Sequence, residues 1–335
     1  MPPVSHPLDD GPDVERVVLT IGTEHHGVRI DKCLADRLSA FSRSYLQQLL
    51  MQGDVDAPGV AQLKPSSKVK AGDCVTVSLR PTDQAQAFKA EELALDVVHE
   101  DSSLLVVNKP AGLVVHPAAG NWSGTLMNGL LHHWEGAAQL PRAGIVHRLD
   151  KDTSGLMVVA KSRMAMEALV RLIAAREVRR YYLAIAQRPW RHSGVVTVEA
   201  AIGRDPHHRL KMAALPPDAV GAKPAKTQFV AVERQADLSL LACKLFTGRT
   251  HQIRVHLASI GHPIAGDGVY GGSKFSGLDR QALHATQLAF PHPVTGQAMK
   301  FDALLPADMA HVLSSHGLHY NSQSLNTVRF EAPVL

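Results

Sequence analysis

Aromatic residues make up only 5% of these 335 amino acids, and there are only three cysteines. Cys33, Cys74 and Cys243 are scattered, odd in number and without metal-ligand spacing. That argues against a disulfide framework and reads as reduced thiols in a cytosol. No run of 18 apolar residues occurs, so no helix is expected to span a membrane. The opening MPPVSHPLDDGPDVER lacks the basic-then-apolar pattern of a secretory signal, and a cytoplasmic location is expected. The 19 histidines include the adjacent pairs His25-His26, His132-His133 and His207-His208, which lack the i, i+4 spacing of a helical zinc site. No functional metal is expected. G-x-G-x-x-G and a regular βαβ alternation are also missing, which argues against a dinucleotide fold.

What remains is an ordinary globular composition, 45% hydrophobic and 20% charged, long enough for two or three domains. The net charge of +4 decides little, but its distribution is uneven. From Arg142 to Arg191 there are 11 Lys/Arg against 4 Asp/Glu. Such a stretch suits a polyanionic partner, although a solvated helix face explains many runs of this kind.

Residues 1–20 are polar, Pro-rich and acidic, and a disordered tail is expected there. Residues 21–80 read as a small α+β domain. Ile30, Leu34 and Leu38 share one helix face. Ser44 and Gln47 suggest a capping box for a second helix that ends near Gly53. Val75, Val77 and Leu79 alternate as in a strand. Residues 81–92 (PTDQAQAFKAEE) read as a linker. From 93 to 313, β-like runs at 104–107, 156–159, 182–185, 195–202, 229–232 and 238–246 outnumber helices at 164–177 and 250–260. The expected fold is α+β, with a mixed or antiparallel sheet. Residues 314–335 read as a loose C-terminal extension.

Two constellations carry chemistry. In Gly144-Ile-Val-His-Arg-Leu-Asp-Lys-Asp-Thr-Ser-Gly-Leu156, Asp150 and Asp152 sit among His147, Arg148 and Lys151, between apolar runs. Charge in such a place is costly unless paired or used, and neighbouring cations keep a carboxylate ionised. An ionised, fixed carboxylate acts as a nucleophile or stabilises an oxocarbenium-like centre; residue types alone leave both aspartates open. In Thr247-Gly-Arg-Thr-His-Gln-Ile-Arg-Val-His-Leu257, Thr250 is a plausible N-cap and cations crowd a first helical turn that normally favours acids. Arg254 therefore calls for a carboxylate partner. A third segment, Arg179-Arg-Tyr-Tyr-Leu-Ala184, offers Tyr182 as a half-buried strand residue or as a ring that stacks on a base.

These segments resemble the RluA family of RNA pseudouridine synthases. HRLDKDTSGLMVVAKS (147–162) is similar to the family's catalytic motif, RRYYLAI (179–185) to its tyrosine motif, and TGRTHQIRVHLASIGHPIAGDGVYGG (247–272) to its third motif. EDSSLLVVNKPAGLVVHP (100–117) and LHATQLAFPHP (283–293) match the flanking signatures. RIDKCLADRLSAFSRSYLQQLLMQGDV (29–55) resembles the S4 RNA-binding module. The likeness spans about residues 25–310. RAGIVHRLDKDTSGLMVVAK, HHRLKMA and DRQALHA look most like the branch often called RluD, which acts on large-subunit ribosomal RNA. Ala57-Pro58-Gly59 replaces the usual Val-Asn-Gly of the module, and Arg180 stands where lysine is common.

The resemblance implies a catalytic domain of the pseudouridine synthase type behind an S4-like domain. It implies Asp150 as nucleophile or electrostatic catalyst, Tyr182 against the uracil, and Arg254 paired with Asp150. Arg148 would enter the RNA where the base has left, with Leu283 packing under it. His147, and Arg43 and Lys32 of the small domain, are further expected RNA contacts. The reaction is redox-neutral and transfers no phosphate, so no cofactor is expected. The expected partner is structured RNA, large-subunit ribosomal RNA or a pre-50S particle, with the protein a monomer. The rival readings are a non-catalytic RNA-binding or ribosome-assembly protein, a pseudouridine synthase of another RNA such as tRNA, and a glycoside hydrolase using Asp150 and Asp152.

Overall fold

A computed structural model of the chain describes residues 15–39, 41–57, 63–79, 88–118, 120–208, 211–275, 277–321 and 328–330. The chain forms two compact units, the second beginning at Lys89.

In the first unit, β1 (Glu15–Thr20), β2 (Val55–Asp56) and β3 (Cys74–Leu79) make an antiparallel sheet in the order β1-β3-β2. The expected tail of residues 1–20 is thus corrected: its last six residues pair along the whole of β3, from Glu15–Leu79 to Thr20–Cys74. Residues 1–14 lie outside the described residues. Helices α1 (Ile30–Arg37) and α2 (Arg43–Gln52) share one core with the sheet, built from Ile30, Leu34, Leu46, Leu49, Leu50, Val75 and Val77. The N-cap of α2 is Ser42, not Ser44; its side chain accepts from the Tyr45 amide. Gly53 ends the helix in the left-handed conformation that a residue without Cβ adopts freely.

At the start of α1 the Asp31 carboxylate is fully buried. Arg29 grips it with two bonds of 3.1 and 3.0 Å, Arg43 donates at 2.9 Å and Gln47 at 2.6 Å. These donors, Arg29 foremost, hold Asp31 far below the usual carboxylate range. One buried anion therefore fixes two half-exposed arginines side by side. Lys32 is exposed one residue further on.

The second unit is built on β4 (Val97–Glu100), β5 (Leu104–Lys109), β6 (Ser154–Ala160), β7 (Arg179–Gln187), β8 (Val195–Glu199), β11 (Lys226–Arg234), β12 (Leu238–Leu245), β13 (Leu283–Pro291) and β14 (Ala298–Asp302). Their order is β4-β5-β6-β13-β7-β12-β11-β8, with β14 on the far half of β13. Only the β6–β13 pairing among these is parallel, so the sheet is mixed as expected. The separate hairpin of β9 (Ala201–Arg204) and β10 (Met212–Leu215) splits the single run expected at 195–202.

Alternation along the central strands gives the sheet two buried faces. Leu105, Val107, Met157 and Val159 join one core, while Leu104, Val106, Leu156 and Val158 join the other. Helix α4 (Arg163–Ala174) covers the second face with Ala165 and Leu169, one turn apart, and Ser162 caps it. Helix α3 (Leu126–His133), capped by Thr125 and Asn128, and helix α5 (Gln252–Ser259) cover the first. Full burial of each such Leu or Ile contributes about 1.5–3 kcal/mol.

Two boundaries shift. Of the linker read at 81–92, residues 81–87 lie outside the described residues, but Lys89 and Glu91 are fastened to Asn128 by bonds of 2.8 and 3.1 Å. The C-terminal extension is not loose where it is described. Helix α6 (Ala307–Ser315) runs into it, Leu318 is buried in the main core, and the Phe330 ring lies 5.4 Å from that of Tyr181. Among the described residues no helix is long and apolar enough to cross a membrane.

Candidate active site

The segment from Arg142 to Gly155 is shaped before it carries any chemistry. Arg142, Ala143 and Gly144 are all left-handed, at φ 54°, 52° and 80°, which turns the chain sharply. Left-handed backbone is costly for the first two, and such strain concentrates at functional sites. Residues 145–153 then lead into β6. Its Gly155 lies so close to Ala285 of β13 that a Cβ would sit 2.2 Å from the Ala285 oxygen. The Ser-Gly that follows the aspartates therefore permits the parallel β6–β13 contact.

The loop between is held by its carbonyls. Lys109 is 1% exposed and donates to the oxygens of Pro110, Leu113 and Lys151 at 2.8, 2.8 and 2.9 Å. Arg280 donates to the Asp152 oxygen at 3.0 Å while Asp308 grips its other nitrogens. The two carbonyls that follow Asp150 are thus each held by a buried or half-buried cation. Burial lowers Lys109 to about 8.

Asp150 faces a cleft of about 700 Å³, together with Arg148, Tyr182, Arg254, Leu283 and His147. All the cleft residues expected from the sequence are therefore in one place. Asp152 does not line it. Asp150 Oδ2 lies 3.3 Å from Arg254 Nη1, and its Oδ1 is 3.9 Å from His251 Nε2. Arg148 is exposed at the cleft. Tyr182, 4% exposed on β7, has its hydroxyl pushed up to about 12 by burial. Leu283 is 4% exposed at the start of β13. His147 Nε2 accepts from the Val158 amide at 3.0 Å, and burial lowers the ring to about 3. It is a neutral group tied to β6. Arg43 and Lys32 belong to the first unit, as described above.

The cap of α5 differs from expectation. It is His251, not Thr250, and it is left-handed at φ 56°. This conformation directs Nδ1 to the Tyr270 hydroxyl at 2.8 Å. Arg254 also has a second carboxylate that sequence reasoning missed. Asp267 receives Nε at 2.7 Å and Nη2 at 2.9 Å, so the two-pronged grip is on Asp267 and only the third nitrogen reaches Asp150. The Tyr270 ring lies under the guanidinium, 4.9 Å away. A signal for this existed: Asp267 is the only acid between Thr247 and Gly272.

Chemically, the site offers one cleft-facing carboxylate held beside a permanent cation, a buried aromatic ring and a basic mouth. Among the described residues no group of three or more His, Cys, Asp or Glu is arranged to hold a metal ion.

Comparison with known proteins places the same segments in context. The profile of the RNA pseudouridylate synthase family matches residues 103–259. The chain is 47% identical to the ribosomal large subunit pseudouridine synthase D of Neisseria meningitidis serogroup B, over 89% of this chain and 81% of that protein. It is 44% identical to an uncharacterized RNA pseudouridine synthase of Bacillus subtilis, over 90% and 98%. Among solved structures, human RNA pseudouridylate synthase domain containing 4 superposes with a TM-score of 0.54 at 25% identity, over 67% of this chain and 94% of that one.

Proposed function

Because the chain belongs to the RNA pseudouridylate synthase family, we propose that its cleft isomerises specific uridines of large-subunit ribosomal RNA, with Asp150 as the essential carboxylate. The relatives named for the large ribosomal subunit, at 41–47% identity, support the substrate. The observation that carries the site is the Arg254–Asp150 contact at 3.3 Å within the cleft.

The residues divide the work as follows. Arg148, exposed at the mouth, occupies the space that the flipped nucleotide vacates, which reduces the unstacking cost. The uracil packs on Tyr182, with Leu283 beneath. Asp150, held by Arg254 at 3.3 Å, acts on the sugar as the N1–C1′ bond breaks, as nucleophile or by a glycal route. The freed uracil, anionic at N1, turns; C5 bonds to C1′ and Asp150 is released as the free carboxylate, the C5 proton is lost and N1 takes up one proton. Bonds and charge balance without an oxidant, reductant or phosphate donor. The Tyr182 hydroxyl enters the reaction protonated, and the rest of the barrier is lowered by orientation and a fixed electrostatic field.

The first unit resembles an S4 module. Arg29 and Arg43, set side by side by Asp31, and exposed Lys32 form a cationic patch suited to RNA phosphates. The protein acts in the cytoplasm as a monomer on structured ribosomal RNA or a pre-50S particle. The test is tritium release from ribosomal RNA labelled at uridine C5, with pseudouridine mapping of the product. Binding without release would favour a non-catalytic RNA-binding protein. Release from tRNA alone would overturn the substrate.

A further inference from the structure

Among the described residues, one buried cation of the cleft has no carboxylate partner. Arg180 lies two residues before Tyr182 on β7, so both side chains leave the same face of the sheet. It lines the cleft and is only 8% exposed. Its Nε is buried without a hydrogen-bond partner, and among the described residues no carboxylate pairs with it. Arg254 and Arg280, the other arginines packed around the aspartate loop, grip Asp267 and Asp308. The turn before α5 leaves room for this side chain: a Cβ on Gly248 would meet Arg180 Nη1 at 2.9 Å.

A buried guanidinium with no counter-charge is costly, and a fold tolerates it where a ligand supplies the charge. We propose that Arg180 is a substrate-binding residue that takes a phosphodiester oxygen of the flipped uridine nucleotide. This rests on the cleft being the active site. The phosphodiester carries a full negative charge before any bond breaks, and its oxygens match the fork of a guanidinium. The uracil ring is neutral until N1–C1′ cleavage. A phosphate therefore offsets the buried charge in the bound ground state, whereas the base does so only in passing.

The test uses the full chain with large-subunit ribosomal RNA transcripts tritiated at uridine C5, and the variants Arg180→Met and Arg180→Lys. Binding is measured by filter retention across a KCl series, turnover by tritium release and stability by thermal melting. Arg180→Met is expected to raise Kd and KM about tenfold or more, the scale of one lost charge-assisted hydrogen bond. The slope of log affinity against log salt should become shallower by about 0.7–0.9, one phosphate contact. The melting temperature of the free variant should not fall, since no native pair is broken. Arg180→Lys should recover part of the affinity. A fall in kcat with unchanged Kd and salt slope would overturn the phosphate contact and put the charge on the departing uracil instead. A lower melting temperature with unchanged binding would make Arg180 structural. Failure of the cleft reading itself would show separately, as full turnover by Asp150→Asn.

Discussion

Replacing Arg254 by lysine keeps a positive charge in the cleft but removes the geometry by which one side chain serves two carboxylates. In the native site Nε and Nη2 hold Asp267 at 2.7 and 2.9 Å, and Nη1 reaches Asp150 at 3.3 Å. Asp267 has a side chain only 1% exposed and Asp150 one 17% exposed. A single ammonium is expected to stay with the drier carboxylate, where an unpaired charge costs most. The Asp150 contact is then lost. At 3.3 Å it belongs to the weak end of charge-assisted bonds, about 1.5 kcal/mol, or roughly tenfold in kcat/KM. Arg254→Met leaves both carboxylates without a cation. Breaking a buried pair in this way costs about 3–5 kcal/mol, on the order of 10 °C in melting temperature for a unit of this size. Turnover should fall well beyond the lysine variant. Tritium release and thermal melting of the two variants side by side decide the matter. Equal, mild effects from both would refute the two-carboxylate role.

Further outcomes follow from the same geometry. Asp150→Asn should abolish tritium release while RNA affinity stays within a few fold; Asp152→Asn should keep substantial turnover, and the reverse pattern would reassign the carboxylate. Tyr182→Phe should bind RNA normally, since the ring face is kept; a loss of turnover on the order of 10²–10⁴ would put its hydroxyl in proton removal, and normal turnover, with an inactive Tyr182→Ala, would leave packing as the only role of the ring. Burial lowers Lys109 from 10.5 to about 8, so between those pH values the unfolded chain binds a proton that the folded chain does not. This group's contribution therefore raises stability as pH climbs from 8 to 10.5 and is flat on either side. Denaturant melts of the native chain should show that slope relative to Lys109→Met, and identical pH profiles would contradict it.

What the sequence revealed depended on how local its cause was. Strand β6 was legible because an unbroken apolar run between turn residues suits a strand buried on both faces, and both faces are covered. Helix α4 was legible from Leu169, Leu172 and Ile173 at helical spacing. The capping errors at α2 and α5 have a different origin. Ser42 and Ser44 are equally good cap residues, and only the direction from which the chain enters chooses between them. At α5 the cap is a left-handed histidine, which no propensity favours; its place is set by Tyr270, 19 residues away. Strand β1 was hidden because its charged start and acidic surroundings resemble a tail, while its stability comes from pairing with β3 across 54 to 64 residues.

The same division explains the site. Motif reading selected Asp150 over Asp152 by family likeness; residue types alone did not. Outside the motif, Lys109 and Arg280 hold the carbonyls of residues 151 and 152. Of the two carboxylates, that of Asp150 lines the cleft and that of Asp152 does not. The electrostatics are shared in the same manner. Arg254 reaches Asp150 from the orientation that Asp267 and the Tyr270 ring impose. Asp267, which does not line the cleft, thereby sets the position of the cation that touches Asp150. The loops at 109–113 and 264–272 thus help to build the cleft around Asp150, although only the aspartate motif announces a reaction in its residue types.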